Sequence, residues 1–525
     1  MALKLTTRLR PILSSRVLTL VLCFATIAPA FAATYYVATN GADTNPGTSN
    51  SPFATIMRAQ TASRSNDTVY LRGGTYFLNN AHLTRTNNPW AIVNYITTNG
   101  VKYLAFPGER PVFDFSAVVP TGYRVTAFLV AASDCTFLGF DVVGVTINVT
   151  GVNSQSECFR VTGSRNRFER LAMHDGMGIG WYLTSGSSNL VLNCDAYNNR
   201  GLDGFSMGNI DGFGAHPNST GGRGNVFRGC RAWFNSDDGF DLINAKAAVV
   251  IEHCWAFYNG YFTNFASSGG DANGFKSGGY GVSGGDYPTP VPRHVTRFCL
   301  AVRNRASGFY ANHHPGALDW FNNTAYRNAR NFNMLGNLDA ESSTNDVPGF
   351  DHVMKNNLGY RATVSEVVNL GATNDVTFNY FTLPVTVTSN DFLSLDESLP
   401  TAPRRANGDS PYIAFAQLVS GSDLLNAGTN AGFGFVGAAP DLGAFEYGKE
   451  PPPTLTLARD GTNLVFHASG GPAGGTNHLV ATTDVSLPMK DGLLIATNVF
   501  DSVGTFVFTN AVPETPQLFY RIRLP

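Results

Sequence analysis

A six-residue phrase recurs through the middle of the chain, and it limits the possible folds more than any other feature. Each copy starts with Cys or Asn, has Ala in third place and ends with Asn. The copies read Cys194-Asp-Ala-Tyr-Asn-Asn199, Cys230-Arg-Ala-Trp-Phe-Asn235, Cys254-Trp-Ala-Phe-Tyr-Asn259, Cys299-Leu-Ala-Val-Arg-Asn304 and Asn323-Thr-Ala-Tyr-Arg-Asn328. Their starts lie 24 residues apart at the closest, and up to 45 apart where the intervening sequence is longer. One repeat of this size cannot bury its own apolar face, so the pattern predicts a solenoid of stacked coils.

A second phrase, Gly-Phe, follows the copies and indicates which kind of solenoid forms. It stands at Gly204-Phe205, Gly239-Phe240, Gly274-Phe275 and Gly308-Phe309, and Asn331-Phe332 follows the last copy. Alternating apolar positions in short strands are expected to point inward and to stack from coil to coil. The recurring Asn is expected to end each strand in a left-handed turn and to form a ladder. Because the sequence has neither the leucine spacing of leucine-rich repeats nor the longer blades of propellers, we predict an all-β parallel β-helix.

Shifts in composition divide the chain into four predicted parts. Residues 1–32 combine a basic start, an apolar run and the small-residue site Ala30-Phe31-Ala32, which is typical of a cleaved signal peptide, with an uncleaved anchor as the alternative. Residues 33–448 form the predicted solenoid, which should end near Pro440–Glu446. Residues 449–453 form a proline-rich linker, and residues 454–525 read as a small C-terminal β-sandwich-like domain. We therefore expect an exported protein, either secreted or associated with the cell surface.

The charge balance excludes some classes of partner. Without residues 1–32, the chain has 32 basic and 38 acidic residues, a net charge of −6. This excludes a strongly basic nucleic-acid-binding protein, and no later apolar run is long enough for a membrane span. The repeat positions of the remaining cysteines favour stacked buried thiols, or an occasional bridge, over a disulfide framework; these are Cys135, Cys158, Cys194, Cys230, Cys254 and Cys299. We expect a monomer.

The densest acidic cluster lies directly after a repeat strand. Asp237, Asp238 and Asp241 fall within five positions, and Asp211 lies about one coil earlier in a similar Asp-Gly-Phe phrase. Stacking should bring Asp211 close to the other three. Four carboxylates in one place repel one another unless a cation lies between them, and oxygen ligands on a turn suit Ca²⁺. We therefore predict a calcium site at these four residues, whereas the Asp-Gly-Phe phrase at Asp203 is interpreted as structural.

The next Gly-Phe phrase carries a lysine in place of an acid. Lys276, in Asn-Gly-Phe-Lys-Ser-Gly-Gly, follows the acidic cluster by one coil. A nearby cation lowers the pKa of a lysine, and a partly deprotonated amine can act as a general base. Lys276 is therefore a candidate catalytic base, and an alkaline pH optimum is expected because the amine must lose its proton.

These motifs, in this order and with the repeated coil phrase, resemble those of the polysaccharide lyase family 9 pectate lyases over about residues 135–340. The resemblance implies a right-handed parallel β-helix that cleaves polygalacturonate, an acidic polysaccharide, by calcium-assisted β-elimination. It implies a base at Lys276 and calcium ligands at Asp211, Asp237, Asp238 and Asp241. Ser277 departs from the pattern, since an apolar residue is expected after the lysine.

Other functions compete with this interpretation. The same cation and base could serve a lyase acting on alginate or on a glycosaminoglycan. A non-catalytic, calcium-stabilised adhesin that binds glycans would not require Lys276. A hydrolase could use the paired carboxylates, but the Gly-His-Gly phrase of β-helix polygalacturonases does not occur in the sequence. Weak candidates for substrate contacts are Arg223, Arg231, Arg293 and Asn312.

Overall fold

The computed structural model describes most of the chain from residue 32 onward. Of the predicted parts, nearly all of the signal peptide and the whole 449–453 linker lie outside the described residues. The described ranges are 32–151, 154–281, 287–339, 342–405, 407–448, 454–469, 476–483, 492–501, 505–513 and 518–523.

Three long sheets dominate the structure, and each coil contributes one strand to each sheet. Sheet 1 contains Thr34–Val37, Thr68–Leu71, Lys102–Ala105, Thr136–Leu138, Arg167–Glu169, Leu190–Leu192, Asn225–Arg228, Val249–Glu252, Val295–Arg297, Asp319–Phe321 and Val353–Lys355. Sheet 2 contains Gly74–Asn79, Pro111–Ala117, Asp141–Val143, Ala172–His174, Asp195–Tyr197, Arg231–Trp233, Trp255–Phe257, Leu300–Val302, Thr324–Tyr326 and Leu358–Tyr360. Sheet 3 contains Arg85–Asn87, Trp90–Ile96, Arg124–Val130, Ser156–Val161, Gly178–Leu183, Phe213–Ala215, Phe240–Asp241, Phe275–Lys276, Ser307–Tyr310, Arg330–Asn333 and Ser365–Val368. Neighbouring strands are parallel except at Arg85–Asn87, so the predicted parallel β-helix is confirmed.

Helices contribute little to the described part of the chain. The α-helix is Ile56–Ala62, and single 3₁₀ turns lie at Asn80–His82, Met207–Asn209, Ser343–Asn345, Ser389–Asp391 and Leu399–Thr401. Among the described residues, no helix has the length and apolar character needed to cross a membrane. A short antiparallel hairpin joins Leu335–Asn337 to Asp346–Pro348.

Stacked phenylalanines fill the interior beneath sheet 3, as the Gly-Phe phrase predicts. The rings of Phe213, Phe240, Phe275 and Phe309 stack with centroids 5.0 Å apart at each step. All four side chains are fully buried. Phe205 is different: it is 45% exposed in a loop, and Phe213 occupies the stacking position on that coil. The prediction that Gly204-Phe205 belongs to the stack was wrong, because a loop separates the repeat strand from its Gly-Phe partner there.

The predicted asparagine ladder is present at the turn between sheets 2 and 3. The side-chain amide of Asn235 donates to Asn259 Oδ1 at 3.1 Å, and Asn259 donates to Asn304 Oδ1 at 3.0 Å. The left-handed backbone conformation, however, belongs to the residue before each ladder asparagine, such as Tyr258 with a φ of 61°. The expectation that the ladder asparagines themselves adopt this conformation was therefore wrong.

The six described cysteines are buried free thiols. Cys194, Cys230, Cys254 and Cys299 recur at the start of successive sheet 2 strands. The Sγ of Cys254 accepts a hydrogen bond from the backbone N–H of Cys230 at 3.4 Å. This arrangement confirms stacked thiols rather than a disulfide framework.

The strands of the three long sheets stop before the end of the predicted solenoid segment. The last sheet 3 strand is Ser365–Val368, and residues 369–448 contain no strand in their described part. These residues instead cover the outer face of sheet 2, where Phe392 and Phe415 pack with Tyr326 and Leu358. Arg404 pairs with Asp195 at 2.7 Å across the same contact. The segment therefore belongs to the same folded unit, and its apolar side chains pack against the coils rather than continuing them.

Residues beyond the linker form two antiparallel three-stranded sheets. One contains Thr454–Asp460, Asn463–Ser469 and Phe506–Ala511; the other contains Thr476–Thr482, Leu493–Val499 and Phe519–Arg523. The Phe466 and Tyr520 rings, one from each sheet, meet edge to face at 4.8 Å. This packing agrees with the predicted sandwich-like domain.

Candidate active site on sheet 3

The outer face of sheet 3 carries the acidic cluster and the lysine. Phe240 and Phe275 point inward, so the residues that follow them, Asp241 and Lys276, point outward. These two residues are direct partners on adjacent strands, and Gly214 is the partner of Asp241 on the preceding coil. Two-residue strands thus place the acid and the amine side by side.

Asp211, Asp237 and Asp238 lie on the turns that lead into these strands. Asp211 Oδ1 accepts from the backbone N–H of Asp238 at 3.1 Å, which links neighbouring coils. Asp237 Oδ1 accepts from the N–H of Asp271 at 2.6 Å. Asp238 Oδ1 accepts from both nitrogens of Asn273, the backbone N–H at 2.6 Å and the side-chain amide at 2.9 Å. The structure therefore brings together the four carboxylates that the sequence singles out.

The carboxylates form two overlapping groups that could hold a metal ion. In one group, Asp211, Asp238 and Asp241 each offer an oxygen within 4.8 Å of the others. In the other group, Asp237, Asp238 and Asp271 each offer an oxygen within the same distance of the others. Asp238 Oδ2 is fully buried and makes no hydrogen bond to the described residues. A buried carboxylate oxygen whose one ion-pair partner among the described residues is Lys276, at 3.1 Å, and which lies among further carboxylates, fits a bound hard cation such as Ca²⁺.

Burial and mutual repulsion disfavour the charged form of these acids. Burial, reinforced by the neighbouring carboxylates, raises the pKa of Asp211 and of Asp237 well above the usual value. Burial also raises the pKa of Asp238 to about 6, although Lys276 works in the opposite direction. The positive charge of one lysine therefore does not offset the effect of burial and mutual repulsion on these carboxylates.

Lys276 forms ion pairs with several of these carboxylates. Its Nζ lies 3.1 Å from Asp238 Oδ2, 3.3 Å from Asp241 Oδ2 and 3.6 Å from Asp271 Oδ2, and the side chain is only 8% exposed. Burial alone would lower the pKa of Lys276, but the surrounding carboxylates, Asp241 and Asp238 foremost, hold it well above the usual value. The lowering of the Lys276 pKa that a bound cation would cause stays a prediction.

Ser277, the departure from the family pattern, lies inside the solenoid. Its hydroxyl is hydrogen-bonded to Thr296 Oγ1 at 3.0 Å. The hydroxyl that replaces the expected apolar side chain is therefore satisfied, and the adjacent lysine keeps its outward position.

Three residues of this site were not identified from the sequence. Asp271 belongs to the second acidic group although its side chain is 70% exposed. His216 Nε2 lies 4.0 Å from Asp241 Oδ1, and burial lowers the pKa of this histidine. Tyr310 is the strand partner of Lys276 on the following coil. The only signal for Asp271 is its place two residues before Asn-Gly-Phe-Lys, and the others become visible only through strand register.

The weak substrate candidates are scattered over the molecule. Arg231 is buried on sheet 2 and pairs with Asp195 at 2.9 Å, so it cannot meet a substrate at this site. Arg223 lies on a turn before a sheet 1 strand, and Arg293 precedes another and pairs with Asp319. Of the four candidates, Asn312 alone lies near Lys276: its amide donates to the backbone oxygen of Gly278 at 2.7 Å.

Comparisons with known proteins show the family to which the chain belongs. The family model described as "Pel9A-like, right handed beta helix region" matches residues 35–357. Pectate lyase L of Dickeya chrysanthemi is 36% identical over 422 residues, which cover 78% of this chain and 90% of that protein. Pectate lyase PEL9 of Emericella nidulans is 32% identical over 336 residues, covering 58% of this chain and 76% of that protein.

Solved structures give the same family. A structure titled rhamnogalacturonan lyase is 42% identical, with a TM-score of 0.70 over 74% of this chain and 97% of its own. The crystal structure of pectate lyase Pel9A is 31% identical, with a TM-score of 0.63 over 79% of this chain and 96% of its own. The predicted family and the right hand of the coils are thereby confirmed. Repeat, site and relatives together assign the chain to the Pel9A-like right-handed β-helix family of polysaccharide lyases.

Proposed function

We propose that the chain cleaves the galacturonan of pectate by calcium-dependent β-elimination, with Lys276 as the base. The supporting observation is the position of its amine, which lies 3.1 Å from Asp238 and 3.3 Å from Asp241 on the outer face of sheet 3. A calcium site that only stabilises the coils has no need of a lysine there, whereas proton abstraction from a uronate requires a base beside the cation.

The calcium ligands in this proposal are Asp211, Asp237, Asp238 and Asp241. A bound Ca²⁺ would neutralise the uronate carboxylate and stabilise negative charge that develops next to it. It would also supply the positive charge that an acidic protein needs to hold a polyanion. Asp271 is a fifth candidate oxygen donor, shared with the Asp237 side of the cluster.

The proposed reaction uses the chain's own side chains for proton transfer. Lys276 Nζ takes the proton from C5 of the uronate. The C5–H electron pair becomes the double bond between C4 and C5, and the C4–O4 bond breaks with its electron pair on oxygen. Asp241 accepts a hydrogen bond from the lysine and so orients the amine. Proton transfer and bond cleavage leave an unsaturated uronate at the new chain end.

The named relatives support pectate as substrate but also favour a second candidate. Pectate lyase L and PEL9 are similar over most of the solenoid. The rhamnogalacturonan lyase structure, however, is 42% identical, against 31% for the pectate lyase structure. With rhamnogalacturonan as substrate, the same base and cation would act on uronates that alternate with another sugar. Alginate and glycosaminoglycans stay as further alternatives.

A substrate panel tests the proposal. Purified protein is incubated with polygalacturonate, rhamnogalacturonan, alginate and a glycosaminoglycan, each with calcium or with chelator. The readout is the ultraviolet absorbance of the unsaturated uronate. We expect product from polygalacturonate with calcium and none with chelator. Product from rhamnogalacturonan alone would select the second candidate, and no product from any polyuronate would favour the glycan-binding adhesin.

Export belongs to this proposal as well. A polymeric substrate cannot enter a cell intact, so the enzyme has to meet it outside. The leader predicted at residues 1–32 would provide that route.

A further inference from the structure

One column of outward-facing residues runs along sheet 3 through the proposed site. Register pairs Arg160 with Tyr182, Tyr182 with Gly214, and Gly214 with Asp241. The pairing continues from Asp241 to Lys276. Adjacent strands lie about 4.8 Å apart, so four steps separate Arg160 from Lys276 by about 19 Å along the sheet. A polymer that follows this column from the base would reach the arginine.

Arg160 is held in a fixed orientation. Its guanidinium carbon lies 4.9 Å from the centroid of the Trp90 ring and 5.7 Å from that of Tyr182. The Nη1 atom bonds to Glu157 Oε1 at 2.9 Å, and the Glu157 side chain is completely buried. The arginine side chain itself is 23% exposed. An arginine stacked on aromatic rings loses little freedom when it binds a carboxylate, and it still has N–H groups to offer.

The charge around Arg160 is opposite to the charge around Lys276. Arg124 also lies over the Trp90 ring, at 5.4 Å from its centroid, and acts electrostatically on Glu157. Arg160 bonds to Glu157 while Arg124 lies nearby, so this end of the column carries two guanidinium groups beside one buried carboxyl group. The four aspartates of the proposed calcium site make the other end of the column acidic.

We propose that Arg160 binds a uronate carboxylate of the same polymer, several sugars away from the bond that is cleaved. The inference rests on the proposed polyuronate lyase activity and adds a distal carboxylate subsite to it. A chain long enough to span both places gains a charge-assisted, bidentate contact, while a short one does not. The enzyme should therefore favour long polyuronate chains over short ones.

The kinetic test compares chain lengths in Arg160→Gln. We expect the ratio of kcat/KM on polygalacturonate to kcat/KM on trigalacturonate to fall about tenfold or more, mainly through KM on the polymer. The matched control is Arg165→Gln, which removes a 59% exposed arginine that pairs with Asp134 away from the column. An unchanged ratio in Arg160→Gln would overturn the inference.

A second variant separates binding from stability. Arg160→Gln removes the ion pair of the buried Glu157 carboxylate, so Glu157→Gln/Arg160→Gln removes both charges together. The double variant should show the same fall in the ratio as the single variant. A ratio that returns to the wild-type value would mean that the single variant acted through the unpaired glutamate, which would also overturn the inference.

Calorimetry separates this inference from the proposed function. Polygalacturonate is titrated into Lys276→Ala protein with and without Arg160→Gln. Binding that weakens about tenfold with the arginine change supports the subsite even if the wild-type protein produces no unsaturated sugar. Equal binding by both proteins would contradict the subsite even if the wild-type protein is an active lyase.

Discussion

At the scale of single residues, Asp238 is the carboxylate on which the site depends most. It belongs to both acidic groups, it is fully buried, and one of its oxygens makes no hydrogen bond to a described residue. Its other oxygen is held by Asn273. We expect such a side chain to destabilise the protein without a cation and to stabilise it with one. Lys276, 3.1 Å away, is shared with Asp241 and Asp271 and offsets the buried charge of Asp238 only in part.

Asp238→Asn should therefore separate stability from cation binding. The amide keeps an oxygen for the Asn273 donors while removing one buried negative charge. With chelator present, we expect the free energy of unfolding to rise by about 1–3 kcal/mol over wild type. Calcium should then stabilise the variant much less than it stabilises wild type. Thermal unfolding with chelator and across a calcium titration checks both effects, and equal calcium stabilisation of the two proteins would contradict the ligand assignment.

Lys276→Ala should remove catalysis while leaving the cation site in place. Loss of a general base costs about a hundredfold to ten-thousandfold in kcat. Lys355→Ala is the matched control, since Lys355 lies on sheet 1 and pairs with Asp375 at 2.8 Å. Initial rates on polygalacturonate and calcium binding by calorimetry are the measurements. If calcium binding disappears together with the activity, the lysine has a structural role instead.

At the scale of elements, very short strands are kept in register by the stacked phenylalanines beneath them and by the asparagine ladder at the adjoining turn. Phe240–Asp241 and Phe275–Lys276 are only two residues long, yet each is fixed by a stacked phenylalanine and by the asparagine ladder at the preceding turn. The positions of Asp241 and Lys276 therefore depend on the ladder, although no ladder residue lies in the candidate site.

Asn259→Ala tests this dependence. The Asn259 amide donates to Ala232 O at 3.0 Å and to Asn304 at 3.0 Å, and its oxygen accepts from Asn235. The change leaves several buried groups without partners, so we expect a loss of about 2–4 kcal/mol of unfolding free energy. Chemical denaturation measures the loss. The exposed Asn218 provides a control substitution, which should cost little.

A row of buried histidines predicts the response of the solenoid to acid. Val249, Gly279 and Leu318 donate their backbone N–H groups to Nδ1 of His294, His314 and His352 respectively. Burial lowers the pKa of His314 to about 3 and that of His352 to about 4, from the ordinary 6.5. Unfolding lets these rings take up protons, so the unfolded state binds more protons than the native state between about pH 3 and 6.5.

Stability should consequently rise with pH through that window. Each of these histidines contributes about 1.4 kcal/mol per pH unit between its folded and unfolded pKa values. The acidic cluster contributes with the opposite sign, because burial raises the pKa values of its carboxylates. Comparison of His352→Asn with wild type isolates the histidine effect. Denaturation across this pH range should give a shallower slope for the variant, and an unchanged slope would contradict this account.

At the scale of the whole molecule, local phrases predicted the solenoid and most of the site, and they were wrong where loops intervene. Asp237, Asp238 and Asp241 are close in sequence, and a one-coil step brings Asp211 and Lys276 to them. Gly204-Phe205 has the right phrase but lies in a loop that the repeat does not fix. Asp271 lies in a loop inserted between two repeats, and the repeat pattern does not predict the path of such a loop. Arg160 was missed because its relation to Lys276 exists only through the register of five strands.

Export can be tested on a chain that includes residues 1–32. If residues 1–32 are a cleaved leader, protein recovered from outside the producing cells should begin at Ala33. Amino-terminal sequencing of the extracellular protein measures this directly. Protein found outside the cells with Met1 intact would contradict cleavage, and protein attached to the membrane would favour the anchor.

The row of buried thiols has a consequence for how long a molecule of this kind lasts. Burial raises the pKa values of Cys194, Cys230 and Cys254 well above the usual value, so these three thiols present no reactive thiolate to an oxidant in the folded state. Unfolding exposes these cysteines on one flexible chain, and in an oxidising compartment they can then cross-link in non-native pairs. Because the six described cysteines form no native disulfide that could guide refolding, we expect a molecule that opens in such a compartment to be trapped by these cross-links. Its lifetime there should then be set by its rate of unfolding.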